Sequence, residues 1–200
     1  MASARQEALD FKVSVPESLH EEQVAWVEEM RTDHDFTLEA PRRHRKTTAL
    51  HAAVCLALKK GHVKILFVGA GEGENEQIVY QHYDNIRHAC QRNGVAIRES
   101  QVDAAHSMIV CLNGSMVQLT TPEGALQELR DLKANFPADY RLVIALDEVT
   151  RLHPVACEEL QEETQVEPLV PIVIWSVGLQ RRAPAPAPAP APAPYVLQAQ

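Results

Sequence analysis

No stretch of this 200-residue chain approaches the roughly 18–20 consecutive apolar residues that span a bilayer. Its opening residues, Met1-Ala2-Ser3-Ala4-Arg5-Gln6-Glu7, lack the apolar core of a secretory signal. Membrane insertion is therefore not expected, and the chain is expected to be intracellular. An excess of positive charge is missing too. The formal net charge is −8, which argues against a surface that coats nucleic acid as a whole, while a basic patch on an acidic body stays compatible with it. The four cysteines, Cys55, Cys90, Cys111 and Cys157, form no Cys-x-x-Cys pair, and the nine histidines show no ligand spacing. His82 and His88 share an expected helix without forming an i, i+4 pair. The cysteines are expected to pack as small apolar side chains rather than to bind metal or do chemistry.

What is present suits one α/β domain with a real core. Residues 1–16 read as an irregular N-terminal arm, 17–180 as the folded domain and 181–200 as a tail. Leu19, Gln23, Trp26, Val27 and Met30 recur at helical spacing among glutamates. A short strand is expected at 36–39, a helix at 47–60 stopped by Gly61, and a buried strand at 63–68. Gly69-Ala70-Gly71-Glu72-Gly73 is a turn-rich loop whose spacing does not match a dinucleotide fingerprint. It leads into a helix lined by Val79, Tyr83, Ile86 and Cys90. A strand at 95–98 and a hairpin of 108–112 with 116–120, turning at Asn113-Gly114, come next. A helix at 124–132, a strand at 142–146, a helix at 154–165 and a last strand at 171–176 complete the domain. Strands alternating with helices imply a mostly parallel sheet with helices on both faces, and functional residues then belong at the carboxyl ends of the strands. The Ala-Pro alternation from Ala183 to Pro194 favours stiff, extended polyproline II, a spacer rather than core.

Two segments carry the chemistry. In the first, Phe36-Thr37-Leu38-Glu39 runs into the basic turn Pro41-Arg42-Arg43-His44-Arg45, and Lys46-Thr47-Thr48 opens a helix. Strand, loop, Lys-Thr, helix is the layout of a phosphate-binding loop: backbone N–H groups at a helix start face an anion, the lysine reaches the outer phosphates, and the hydroxyl helps hold Mg²⁺. The glycine that usually precedes the lysine is replaced by Arg45. In the second, about a hundred residues later, the apolar strand Leu142-Val143-Ile144-Ala145-Leu146 ends in Asp147-Glu148. An aspartate there holds the Mg²⁺ shell, and the adjacent glutamate can polarise a water for attack on a γ-phosphate.

The loop from Ala40 to Thr47 resembles the variant phosphate loop of large terminase subunits, the DNA-packaging motors of herpesviruses and tailed phages, which commonly read Pro-Arg-Arg-His-Gly-Lys-Thr/Ser. Residues 64–71, 108–120, 140–154 and 171–176 resemble further segments of that family in the same order, so the likeness covers roughly 19–179. It implies a P-loop NTPase of the ASCE, terminase-like kind: a Mg²⁺-dependent ATPase driving duplex DNA into a capsid. Lys46 would contact the β- and γ-phosphates, Thr47 and Asp147 would hold Mg²⁺, and Glu148 would be the catalytic carboxylate. Arg42 would sense or stabilise the γ-phosphate, while Arg43, His44, Arg45 and Thr48 would complete the ATP-binding loop. Gln23 sits where such ATPases place a reader of adenine, and Ser176 where they couple hydrolysis to DNA movement. Here Val177-Gly178 follows instead of a second hydroxyl. Expected partners are duplex DNA, a portal, a small terminase subunit and further copies in a ring. The setting would be a host nucleus for a herpesvirus-like system or bacterial cytoplasm for a phage. No nuclease domain is expected in this chain.

Plainer readings stand beside these. Residues 42–46 suit a nuclear-import or nucleic-acid patch, Gln23 a solvated helix surface, and Ser176 a simple strand end. The chief alternative function is a degenerate, non-hydrolysing nucleotide fold that binds protein or DNA through its basic loop. A helicase is a third reading, but one domain lacks the second half such enzymes need.

Overall fold

The computed structural model describes residues 3–13, 17–32, 34–41, 44–69, 76–101, 107–133, 137, 139–148, 154–165 and 172–179. Among the described residues seven strands form one sheet in the order β1-β7-β6-β2-β5-β4-β3. They are β1 (Phe36–Ala40), β2 (Val63–Val68), β3 (Ile97–Gln101), β4 (Ser107–Cys111), β5 (Met116–Thr120), β6 (Arg141–Leu146) and β7 (Ile172–Leu179). From β1 across to β5 every pairing is parallel, whereas β4 and β3 add on in antiparallel fashion. The mostly parallel α/β sheet read from the sequence is the one observed. The last two strands depart from it because a four-residue connection from Cys111 to Met116 is too short for a parallel crossover.

The central strands are mostly apolar because both of their faces are covered, with Lys64 of β2 buried and paired with Glu128. β2 is buried at all six positions. Alternate residues split between two cores: Ile65, Phe67, Val143, Ala145 and Trp175 face one cluster, while Leu66, Val68, Leu142, Ile144 and Leu146 face the other. The first cluster is covered by α2 (Glu21–Met30), α3 (Lys46–Lys60) and α4 (Glu76–Arg92), through residues such as Val27, Val54 and Ile86. The second is covered by α5 (Pro122–Lys133) and α6 (Pro154–Gln165), through Leu126, Leu129 and Leu160.

Helix α3 is almost wholly buried from Ala49 to Leu58. Gly61 ends it at φ 97°, and Asn113 in the β4–β5 turn donates its amide to Leu58 O at 2.8 Å, satisfying a helix-end carbonyl from outside. The two outer strands are unlike the centre. β3 exposes Arg98, Glu99, Ser100 and Gln101 and carries a register shift between Ile97 and Glu99; β1 is short, holds Glu39 and runs into Pro41.

Two readings of the sequence change. The N-terminal arm is not irregular throughout, because Ala4–Leu9 forms a helix, α1. Ala8 and Phe11 are buried in the first core, and Arg31, the residue that follows α2, pairs with Glu7 at 2.5 Å. Two apolar anchors and a partly buried ion pair suffice to hold a short helix that lacks a long periodic pattern. The last strand also continues three residues past Ser176, to Leu179, so Ser176 lies inside a strand rather than at its end. The Ala-Pro tail, the loop from Ala70 to Gly73, and Arg42 and Arg43 lie outside the described residues.

Candidate nucleotide site

Three features converge at the carboxyl edge of the sheet. β1 ends at Ala40, and α3 starts at Lys46 five residues beyond Pro41. One strand away, with only β7 between, β6 ends at Leu146 and delivers Asp147 and Glu148. The hydroxyl of Thr47 meets the carboxylate of Asp147 across a separation of 100 residues, donating at 2.9 Å to Oδ2 with Oδ1 at 3.1 Å. Two hard oxygen donors at a helix start are the donor type that Mg²⁺ takes from a protein, the rest of its shell coming from water and phosphate. The site therefore fits the metal read from the sequence. Among the described residues no group of three His, Cys, Asp or Glu side chains could hold a metal by itself.

Lys46 is half-buried and donates to Ala40 O at 2.8 Å and Pro41 O at 2.9 Å. Its ammonium thus sits over the start of the loop, at the mouth of the helix. Arg45 adopts the left-handed region, φ 51° and ψ 37°, where glycine is the unstrained residue. Its carbonyl accepts from the N–H groups of Thr48 and Ala49, and its guanidinium lies 3.2 Å from Glu17. The missing glycine is therefore a matter of backbone conformation as well as of room for phosphate. Glu148 is the second positive-φ side chain here, at 50°, and its N–H donates to Asp147 Oδ1 at 3.0 Å. A tight Asp-Glu turn with strained backbone is the kind of feature that clusters at functional sites.

Asp147 is 2% exposed, and burial raises its carboxyl from the ordinary 3.8 to about 6, with the Thr47 hydroxyl, the Glu148 N–H and the Lys46 charge opposing the shift. Behind it stand two histidines. His82 Nε2 lies 3.7 Å from Asp147 Oδ2, and His82 Nδ1 lies 3.0 Å from His51 Nε2. Burial lowers His82 to about 4, against a hydrogen bond with the Gly69 backbone that raises it, and His51 to about 3. Both rings are neutral at pH 7, so the His82–Asp147 approach is a polar contact and not an ion pair. Gly69 is required beneath this ring: a Cβ there would stand 2.6 Å from His82 Cδ2.

The remaining sequence candidates fall as follows. Gln23 is 2% exposed rather than solvated; its Oε1 accepts from His20 N–H at 2.9 Å and its Nε2 donates to Arg45 O at 3.2 Å, tying α2 to the start of α3. Both ends of the amide are thus engaged within the protein. His44 Nδ1 lies 3.9 Å from Glu22 on the exposed side. Thr48 and Thr47 line a cavity of about 160 Å³ together with His51 and Arg92. Ser176 is paired in register with Leu146 on one side and Thr37 on the other, and donates to Thr37 Oγ1 at 3.0 Å. It stands in the strand between the two halves of the site. His51 and His82 were not among the sequence candidates. The one available signal was His51 itself, a lone polar residue in the apolar run Ala49-Leu50-His51-Ala52-Ala53.

A mostly parallel sheet with Lys-Thr at one strand-to-helix turn and Asp-Glu at the end of a nearby strand is an α/β fold of the P-loop NTPase type. Among solved structures this fold matches the ATPase domains of phage large terminases. The large terminase of a thermophilic bacteriophage superposes with a TM-score of 0.53 at 14% identity, over 80% of this chain and 37% of that one. The same phage protein in complex with ADP gives 0.52 at 12% identity, over 80% and 39%. The large terminase ATPase domain of a Thermus phage gives 0.51 at 13% identity, over 89% and 69%. This chain thus spans little more than a third of the length of the first of these proteins. No protein-family model matches the sequence, and no curated protein matches it.

Proposed function

We propose that this chain is the ATP-hydrolysing motor domain of a viral DNA-packaging terminase, which drives duplex DNA into a capsid. The observation that carries the reading is the Thr47–Asp147 contact. It brings the loop hydroxyl and the strand-end carboxylate to one point at the start of α3, beside Lys46. The fold shared with the thermophilic-phage terminase, one form of which holds ADP, supports nucleotide as the ligand.

In this reading Thr47 and Asp147 hold Mg²⁺ with ATP, and the metal supplies charge neutralisation for the phosphates. Lys46 exchanges its two neutral carbonyl acceptors for anionic phosphate oxygens, so that both partners of the contact are charged. Glu148, exposed at the mouth of the site, orients and polarises the attacking water. Arg42 stabilises charge on the γ-phosphate, with Arg43, His44, Arg45 and Thr48 around the phosphates. Ser176, bonded between β1 and β6, is placed to pass a shift at either strand end to the other, which suits a coupling role. Gln23 fits this scheme as the brace of the loop rather than as a direct contact with the base. The assembled motor would be a ring of such subunits with a portal and a small terminase subunit, in a host nucleus or bacterial cytoplasm.

The deciding experiment is calorimetric titration of Mg-ATP into wild type and Lys46→Ala. Loss of measurable binding in a variant that keeps its circular dichroism and melting curve is the expected result. Unchanged affinity would sink the assignment. Saturable binding in wild type without phosphate release, even with DNA and capsid partners present, would replace it by the non-hydrolysing module.

A further inference from the structure

Asp147 is held from three directions. Its N–H donates to Val68 O at 2.9 Å, its Oδ1 accepts from the Glu148 N–H, and the Thr47 hydroxyl reaches both carboxylate oxygens. A fourth group faces it: Nε2 of His82 stands 3.7 Å from Oδ2. That ring comes from α4, a helix that supplies none of the site residues read from the sequence. Whether Nε2 turns a proton or a lone pair toward the carboxylate decides whether the contact attracts or repels.

The surroundings of the ring answer this. Gly69 lies so close beneath it that a Cβ there would stand 2.6 Å from Cδ2 and 2.8 Å from Nε2. The Phe67 ring packs at 5.0 Å between centroids, and the His51 ring meets it edge-on at 5.2 Å. His82 is hydrogen-bonded to the Gly69 backbone in a way that favours its protonated form, so a ring nitrogen donates to the Gly69 carbonyl. Nε2 is the nitrogen beside Gly69, whereas Nδ1 is 3.0 Å from His51 Nε2. A neutral imidazole has one N–H. The proton therefore sits on Nε2, and Nδ1 accepts from the Nε2–H of His51. His82 turns an N–H edge toward Asp147.

We propose that His82 is a positioning residue for Asp147: its Nε2–H, kept in that tautomer by His51 and Gly69, orients the carboxylate that takes Mg²⁺. The inference rests on the reading of Thr47 and Asp147 as the metal's protein ligands. Outer donors that fix a ligand's orientation raise metal affinity, and losing one typically weakens it by about 10–100-fold. A contact of 3.7 Å belongs at the lower end of that range. A ring present for packing alone would serve as well if it were phenylalanine.

Two measurements test this. In protein labelled with ¹⁵N-histidine, long-range ¹H–¹⁵N correlation should show His82 protonated on Nε2, both without metal and with Mg-ADP. A proton on Nδ1 would overturn the inference whatever the site binds, and this measurement needs only wild type, so it decides even if a variant does not fold. Calorimetry with the non-hydrolysable ATP analogue AMP-PNP, in Mg²⁺ and in EDTA, then compares wild type, His82→Phe and His82→Gln. Phenylalanine keeps the flat ring and loses the N–H, while glutamine places an amide N–H near the position of Nε2. The gain in affinity that Mg²⁺ gives should fall about tenfold in His82→Phe and stay within about threefold of wild type in His82→Gln. Affinity in EDTA should be unchanged in all three. An equal Mg²⁺ effect in the three proteins, or a loss in His82→Phe of the same size with and without Mg²⁺, would overturn the positioning role. No binding of the analogue by wild type would sink the nucleotide reading itself, and this inference with it.

Discussion

Replacing Asp147 by Asn is expected to stabilise the metal-free protein while destroying its nucleotide site. The Asp147 carboxyl titrates at about 6 instead of 3.8, chiefly because it is buried. Two units at 1.36 kcal/mol each mean that the ionised side chain costs the folded state up to about 3 kcal/mol at neutral pH. The sign runs one way only. Below about pH 4 the acid is neutral in both states and costs nothing. From pH 4 to 6 the unfolded chain gives up its proton while the folded chain keeps it, so this group's contribution to stability falls as pH rises. The buried histidines act in the opposite sense. With His51 lowered to about 3 and His82 to about 4, the unfolded chain binds protons that the folded chain refuses, and stability from them grows as pH climbs toward 6.5. Wild type shows the sum of these trends, and Asp147→Asn should show only the histidine part. The Oδ1 of Asn can still accept from the Glu148 N–H and from the Thr47 hydroxyl at the 3.1 Å position, while the Oδ2 acceptor is replaced by an amide nitrogen. Urea unfolding in EDTA at pH 4, 6 and 8 measures the difference. It should be near zero at pH 4 and reach roughly 2–3 kcal/mol in favour of the variant at pH 8. Mg-ADP should then raise the stability of wild type and not that of the variant. A variant less stable than wild type at pH 8, or a gap that does not change with pH, would refute the reasoning.

Three further substitutions test the site from other sides. Glu148→Gln keeps the shape and loses the base, so Mg-ATP should bind with little change while phosphate release in a coupled assay stops. Arg45→Gly should relieve about 1–2 kcal/mol of left-handed strain against roughly 0.2–1 for the exposed Glu17 pair, raising the melting temperature, tightening nucleotide and raising turnover. Weaker ATP binding in that protein would show instead that the guanidinium had been recruited as a phosphate contact. Gly69→Ala would drive a methyl to 2.6 Å from the His82 ring, with Phe67 at 3.0 Å closing the other side. A loss of about 1–3 kcal/mol in urea unfolding is expected; unaltered stability would mean that the His82–His51 pair is free to move.

The elements were legible where the sequence pattern is strong. Val63–Val68 and Pro154–Gln165 have the bounds that the pattern implies, since an apolar run flanked by Gly61 and Gly69, and a helix opened by Pro154, are signals local to the chain. Helix α1 was not legible, because what orders it is Arg31 at the end of α2 and the core around Phe11 rather than its own six residues. In the site, the residue types of Lys46-Thr47 and Asp147-Glu148 announced a phosphate-handling pair, but not their hydrogen bond. The left-handed conformation of Arg45, the brace from Gln23 and the raised acid of Asp147 depend on chain segments 22 to 100 residues away. Pattern reading has no access to them, because burial and backbone angle arise only when the segments meet.

The two borders of the sheet bear on how such a molecule can meet others. A bare strand is a template for another chain, and among the described residues each border strand is spoiled in its own way. On one side, β3 turns four polar residues outward and breaks its register; on the other, β1 is five residues long, carries Glu39 and is cut off by a proline. Growth of the sheet from molecule to molecule is thereby discouraged at both ends, even though its centre is among the stickiest kinds of sequence a chain can hold. Neighbours are left to make contact through helices and side chains, which can be released and remade without unzipping a backbone ladder.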